Sequence, residues 1–178
     1  MPDQFSLTLL REFGAYRDRQ PLHLPQSCQR VLALVALKRR PLCRTWICET
    51  LWPHVPPQYA AVRLRTTLWL LRRLGADSLL LVDSQLVALR GDVAVDYHLA
   101  TDLLGRLLDD PRGVAGDPDV AADALAMLRT GELLDGWTDS WCADDRSRYH
   151  ATRMASHEVF SRPSDRTGPS KVAIAAHP

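Results

Sequence analysis

The residues best suited to chemistry lie in one stretch, residues 58–75, which combines arginine, threonine and tryptophan with many leucines. Arg65, Arg72 and Arg73 carry guanidinium groups that can bind phosphates or the edges of guanine bases. Thr66 and Trp69 can contact thymine methyl groups or sugars. These residue types together favour nucleic-acid binding over catalysis.

The same stretch is predicted to form an amphipathic helix. Prolines at positions 56 and 57 precede it and Gly75 follows it, as expected for a helix start and a C-cap. The helix face that carries the arginines, Thr66 and Trp69 suits insertion into a DNA groove. The alternative is an amphipathic helix whose polar face is simply solvated. On a 3.6-residue period, the apolar stripe that a core would bury consists of Ala61, Leu64, Leu68 and Leu71.

Residue constellations typical of enzymes or metal sites are missing from the sequence. Asp96 and His98 form a lone pair, and Ser147 and His150 share one helix face, whereas catalysis needs a positioned set of groups. The spacing of the cysteines, with no second pair or histidine nearby, does not fit a zinc site. We therefore expect no enzyme activity, metal or cofactor, and structural, buried or half-buried thiols at Cys28, Cys43, Cys48 and Cys142.

Charge divides the 178-residue chain into two unlike halves, and the length permits one medium domain or two small ones. Residues 1–91 hold 13 Lys+Arg against 6 Asp+Glu, a balance of +7, and residues 92–178 hold 9 against 15, a balance of −6. Only the basic half can attract phosphates. Without a long apolar run or a signal-peptide pattern, we expect no membrane contact and a cytoplasmic, nucleoid-associated location.

The first half shows a recognisable order of elements. Strands near residues 5–10 and 21–24 flank a hairpin tip at Asp18 and Arg19, and a core helix opens at Gln26 or Ser27. A short helix at 45–51, a stiff proline loop, the arginine-bearing helix and a hairpin around residues 83–85 follow. This order describes a winged helix-turn-helix, whose third helix enters the major groove and whose C-terminal hairpin is the wing.

The second half is predicted to be helical. Helices are expected at 97–108, with Leu99 on the apolar side, and at 120–129 and 144–160, with a loop at 109–119. Trp137 and Trp141 are expected to pack between helices. The predicted class is α+β: a winged helix-turn-helix with a small antiparallel sheet over 1–91, a short all-α, TPR-like domain over 92–160, and a disordered tail over 161–178.

Four stretches, residues 41–53, 64–74, 93–96 and 132–141, resemble a known family in their residues and their order. They are similar to the OmpR/PhoB-type DNA-binding domain of actinobacterial SARP-type regulators, followed by a shortened bacterial transcriptional activation domain (BTAD). The resemblance covers about residues 5–158. It implies a transcription regulator that binds direct repeats in double-stranded promoter DNA as a homodimer and contacts RNA polymerase.

The resemblance also implies roles for individual residues. Leu70 stands where the family commonly has a basic residue, and Arg63, on the same flank, could compensate for it. Cys43 replaces a helix-capping Ser or Thr. The residues implied to contact DNA are Arg44, Arg63, Arg65, Thr66, Trp69, Arg72, Arg73 and the wing-tip residue Gln85, and the loop residues implied to contact polymerase are His54, Val55 and Gln58.

The shortened second half leaves an alternative function open. Helical repeats need neighbours to cover their apolar faces, so we expect an exposed apolar edge or dimerisation through it. If Leu70 weakens DNA contact, the chain could instead be a protein–protein interaction module that pairs with another regulator without binding DNA itself. On the DNA-binding hypothesis, Leu70→Arg should tighten binding.

Overall fold

The structure, a computed structural model, describes residues 4–161 as a mixed α/β fold with two small sheets and several helices. Beyond Ser161, the tail predicted to be disordered lies outside the described residues. Among the helices of residues 4–161, none is long and apolar enough to cross a membrane.

The first sheet joins the N-terminal strands to a strand from the second half of the chain. β1 (Phe5–Thr8) pairs antiparallel with β2 (Gly14–Arg17), which pairs with β3 (Gln20–Pro21). Asp18 and Arg19 adopt positive φ angles in the tight turn between β2 and β3, as the predicted hairpin tip requires. A further strand, Ala94–Val95, lies parallel to β1, so the sheet is not purely antiparallel as predicted.

Helix α1 (Gln26–Lys38) forms the centre of the core. Seven consecutive residues, 31–37, are buried, which explains why this helix is apolar on all sides. The helix ends at Arg39, whose left-handed backbone (φ 49°) forms the C-cap.

The second sheet holds the hairpin that follows the arginine-bearing helix. β4 (Leu42–Cys43) leads directly into α2 (Arg44–Leu51), and α3 (Pro57–Arg73) follows after the proline loop. β5 (Leu80–Val82) and β6 (Leu86–Leu89) form the hairpin, and β4 pairs antiparallel with β6. The sheet order β4-β6-β5 therefore ties the start of α2 to the hairpin.

The second half consists of β7 (Ala94–Val95), α4 (Asp96–Asp109), α5 (Pro111–Gly116), α6 (Pro118–Leu128) and α7 (Ala143–Ser161). The predicted loop at 109–119 is wrong, because it contains α5. Asp110 accepts a hydrogen bond from the Gly113 amide at 2.9 Å, and Pro111 occupies the first turn, so a capped short helix forms.

Two apolar positions were assigned to the wrong side of their helices. Leu99 is 60% exposed on α4, and Ala61 is exposed on α3, where the buried stripe is Ala60, Leu64, Thr67 and Leu71. Trp137 and Trp141, by contrast, pack against the core with ring centroids 6.1 Å apart. Of the large apolar residues of α4 to α7, only Leu99 and Met154 are exposed, so the expected apolar edge is small within residues 4–161.

Ion pairs join the two halves of the chain, and each pairs a cation of the first half with an acid of the second. Lys38 Nζ lies 2.7 Å from Asp145 Oδ2, Arg39 Nη1 lies 2.6 Å from Asp102 Oδ1, and Arg30 pairs with Asp139. One continuous core includes residues from both halves. The boundary predicted at residue 91 therefore stays a prediction, and it crosses an extensive interface.

Candidate nucleic-acid interface

The solvent-facing side of α3 carries the predicted DNA-contacting side chains. Arg63, Arg65, Thr66, Arg72 and Arg73 are exposed, since the opposite face of the helix is held against α1 and α2 by its buried stripe. None of these four arginines has an ion-pair partner within residues 4–161. Their charge is therefore available to an anionic partner.

Trp69 also lies on this face, with 53% of its surface exposed. The Arg73 guanidinium carbon lies 5.0 Å from the centroid of the Trp69 ring, a cation–π arrangement one helical turn apart. The contact limits the freedom of both side chains, which lowers the entropy that a bound partner would otherwise have to remove.

Arg44 and Gln85 meet at the tip of the β5–β6 hairpin. The Arg44 backbone amide donates to the Gln85 carbonyl at 2.9 Å, and the Arg44 guanidinium donates to the Asp83 carbonyl at 3.0 Å. The Asp83 carboxylate accepts from the backbone amides of Leu86 and Gln85, and these bonds hold the pKa of Asp83 below its ordinary value. The turn is thus fixed, and it holds a first-turn arginine of α2 beside the hairpin tip.

A groove of about 730 Å³ runs between α2, α3 and this hairpin tip. Arg44, Gln58, Arg65 and Gln85 line it, above a floor that includes Trp52 and Leu64; Glu49 adds one carboxylate. Side chains far apart in the sequence therefore meet in one concave surface. Such a surface can accommodate a sugar-phosphate backbone between two positive rims.

The loop between α2 and α3 holds the three residues predicted to contact polymerase. His54 and Gln58 are exposed, whereas Val55 is half-buried, packs against the core and donates its amide to the Trp52 carbonyl at 3.0 Å. Val55 and Gln58 both line the groove that Arg44, Arg65 and Gln85 share.

Leu70 does not occupy the free surface position expected from the sequence. It is half-buried and packs against the core, whereas Arg63 is exposed. The basic residue that the resemblance implies at this position is therefore replaced by a leucine that packs against the core. An arginine at position 70 would have to give up this packing, so Leu70→Arg should lower the free energy of unfolding, and the expected gain in affinity should be measured under conditions in which the variant is folded.

Two exposed residues on α3 were missed by the sequence-based reasoning. Tyr59 is 61% exposed and Val62 52% exposed. They precede Thr66, Trp69 and Arg73 at spacings of three or four residues, which places all five on one face. Leu64 and Leu71 of the predicted stripe are buried, but Ala61 is exposed and Ala60 is buried in its place.

The basic end of α1 is engaged elsewhere. Lys38 and Arg39 pair with acids of α7 and α4, so these cations hold the two halves together. Arg40, next in the chain, lies with its guanidinium carbon 6.0 Å from the Trp46 ring centroid. Lys38 and Arg39 therefore have a structural role.

The four cysteines are free thiols, and three of them are buried as expected. Cys43 is exposed, which corrects the expectation of a buried or half-buried thiol. It precedes α2, and hydrogen bonds from the backbone amides of Thr45 and Trp46 lower the pKa of its thiol.

The polar pairs considered for catalysis have structural partners. The Asp96 carboxylate accepts from the Leu9 amide at 2.7 Å and the Leu10 amide at 3.1 Å, which anchors α4 to the end of β1. His98 Nε2 lies 2.7 Å from the Ala36 carbonyl, and burial lowers its pKa. Within residues 4–161, no group of three His, Cys, Asp or Glu side chains could hold a metal ion.

These features define a mixed α/β fold with an exposed cationic helix beside a short hairpin. Comparison with known proteins gives no matching family model and no match among curated proteins. Among solved structures, the chain is similar to Mycobacterium tuberculosis EmbR in complex with a low-affinity phosphopeptide, with a TM-score of 0.59 and 20% identity over 88% of this chain. The chain spans 42% of the EmbR chain. The likeness shows a shared fold with part of a SARP-family regulator.

Proposed function

We propose that the chain is a DNA-binding transcription regulator, with residues 5–91 forming a winged helix-turn-helix. In this proposal α3 enters the major groove, and the β5–β6 hairpin is the wing that lies along the backbone. The observation that carries the proposal is the groove in which Arg44, Gln58, Arg65 and Gln85 meet. The fold shared with EmbR, a transcriptional regulator, supports the same assignment.

The arginines differ in where they lie relative to the groove. Arg44 at the hairpin tip and Arg65 in the groove are placed to bind phosphates, while Arg72 and Arg73 continue the exposed cationic surface toward the end of α3. Each phosphate contact releases counterions, so each should contribute about 0.9 to the slope of log affinity against log salt. Five contacts, from Arg44 and the α3 residues Arg63, Arg65, Arg72 and Arg73, would give a slope of about −4.5.

The remaining steps of the proposal concern assembly. We place the loop residues His54, Val55 and Gln58 against RNA polymerase. We also expect a homodimer on direct repeats in a promoter, acting as an activator in the cytoplasm at the nucleoid. A helix–turn–helix dimer on direct repeats requires half-sites spaced by about 10–10.5 base pairs or a multiple. Footprinting measures that spacing directly.

The test is binding of the purified chain to duplex DNA selected by the chain from a randomised pool, measured across a salt series. We expect affinity to fall as salt rises, with a slope set by the phosphate contacts. No selected duplex at low salt, or binding independent of salt, would contradict the proposal. Substitution of exposed Arg112 on α5, away from the groove, provides the matched control.

A protein–protein module that pairs with another regulator is the second candidate. It is favoured by apolar side chains on the hairpin: Leu81 is 57%, Val82 48% and Leu86 39% exposed. Binding through such a surface should depend little on salt concentration, because salt screens interactions between charges but not the burial of apolar surface. Salt-resistant co-purification with a regulator, combined with no binding to any selected duplex, would establish it in place of the first candidate.

A further inference from the structure

The exposed face of α3 is apolar along its centre and cationic at its edges. Tyr59, Val62 and Trp69 are 61%, 52% and 53% exposed and follow one another at spacings of three and seven residues, one stripe of the helix. Thr66 lies between them and presents a methyl group as well as a hydroxyl. Arginines 63, 65 and 72 lie on either side of this stripe.

The stability of the fold gives no reason for this stripe. α3 already buries a separate stripe of Ala60, Leu64, Thr67 and Leu71. An exposed Val62 also costs helix propensity, because a β-branched side chain loses rotamer freedom in a helix. Single exposed apolar residues are common, but an aligned set on one face indicates a surface that is covered in a complex.

The apolar centre and the cationic edges of this face together identify the partner. The major groove of B-DNA presents donors, acceptors and one apolar group, the C5-methyl of thymine. Phosphates flank that groove on both sides, so a reading element needs cationic edges and, over thymines, an apolar centre. The arginines at the edges of α3 supply the first requirement, and Tyr59, Val62 and Trp69 supply the second.

We propose that α3 reads thymine methyl groups through Tyr59, Val62 and Trp69, so that its binding site in DNA carries thymines at the positions under these side chains. The proposal rests on the DNA-binding function proposed above and adds its base preference. Ten residues separate Tyr59 from Trp69, about 15 Å along the helix, which matches about four base pairs at 3.4 Å each. The Arg73–Trp69 contact at 5.0 Å orients the indole at the end of the reading stripe.

Replacement of thymine by uracil tests the proposal, because deoxyuridine lacks only the methyl group and keeps every hydrogen-bonding atom. The probe is the duplex that the chain itself selects from a randomised pool, resynthesised with uracil at each thymine in turn. Loss of a buried methyl should weaken binding about fourfold at each contacted position. Two contacted thymines replaced together should weaken binding about fifteenfold, if their effects add.

Val62→Ala links the effect to the stripe, because it removes two methyl groups at an exposed site without disturbing the core. The variant should lose affinity for the thymine duplex and show a smaller ratio between the thymine and uracil duplexes at one position. Leu99→Ala, which removes a 60% exposed leucine from α4, is the matched control and should leave both affinities unchanged.

The possible outcomes distinguish DNA binding from the reading of thymine methyl groups. Selection of no duplex would contradict DNA binding itself. Salt-dependent binding to a selected duplex whose affinity is equal with thymine and uracil would leave DNA binding standing and overturn the reading of methyl groups. A uracil effect that Val62→Ala and a Trp69→Ala variant both leave unchanged would also overturn the assignment to this stripe.

Discussion

The Lys38–Asp145 pair provides the sharpest test of how the two halves of the chain are held together. Asp145 is a buried acid at the start of α7, with a side chain 6% exposed, and Lys38 at the end of α1 is 24% exposed. Their atoms lie 2.7 Å apart. Asp145→Asn keeps the shape of the side chain but removes its charge, and this leaves the lysine without a counter-charge.

The structure sets the size of the effect. Removal of one partner from a fully buried ion pair costs about 3–5 kcal/mol. Because Lys38 keeps about a quarter of its exposure, and asparagine can still accept a hydrogen bond, we expect a loss of about 2 kcal/mol in the free energy of unfolding. For a chain of this size, that loss lowers the melting temperature by about 4–8 °C.

Urea unfolding followed by circular dichroism measures this loss, and Asp102→Asn is the matched control. Asp102 pairs with Arg39, the next residue of the chain, but the two side chains are 61% and 43% exposed. Its removal should cost less than about 1 kcal/mol. Lys38→Met in the Asp145→Asn background should recover part of the loss, because it removes the unpaired cation. Equal costs for the two Asn variants, or no recovery, would refute the reasoning.

Three further predictions concern single side chains. Arg65→Ala should weaken DNA binding and reduce the salt slope by about one, whereas Arg112→Ala should change neither in the same titration. Because burial lowers the pKa of His98, the unfolded chain binds its proton first; stability should therefore fall as pH drops below about 6.5, and His98→Gln should flatten that part of a stability–pH profile. Labelling of the native chain by a thiol reagent should modify Cys43 before the three buried cysteines, as peptide mass spectrometry would show, and equal labelling of all four would contradict the structure.

Periodicity predicted the elements of the first half well, because each has a strong local signal. Prolines and Gly75 bracket α3, the run of apolar residues defines α1, and the turn at Asp83 defines the hairpin. The short helix α5 was missed, since its six residues are specified by a cap at Asp110 and a first-turn proline rather than by an apolar period.

Positions on a helix face were predicted less well than the helices themselves. Neighbouring residues on a helix point about 100° apart, so an error of one position assigned Ala61 rather than Ala60 to the buried stripe. For the same reason, the exposed positions of Tyr59 and Val62 were not recognised. Long-range pairing could not be predicted at all from local pattern. The β4–β6 pairing, which places Arg44 at the hairpin tip, joins residues about forty positions apart.

The charge asymmetry between the halves has two physical causes, and only the structure separates them. Lys38, Arg39 and Arg30 face acids of the second half, so part of the positive balance of residues 1–91 and part of the negative balance of residues 92–178 neutralise each other inside the molecule. The arginines of α3 have no such partner within residues 4–161. DNA phosphates would therefore interact with the charges of one helix face rather than with those of half the chain. The slope of log affinity against log salt should accordingly reflect contacts from those arginines and Arg44 alone.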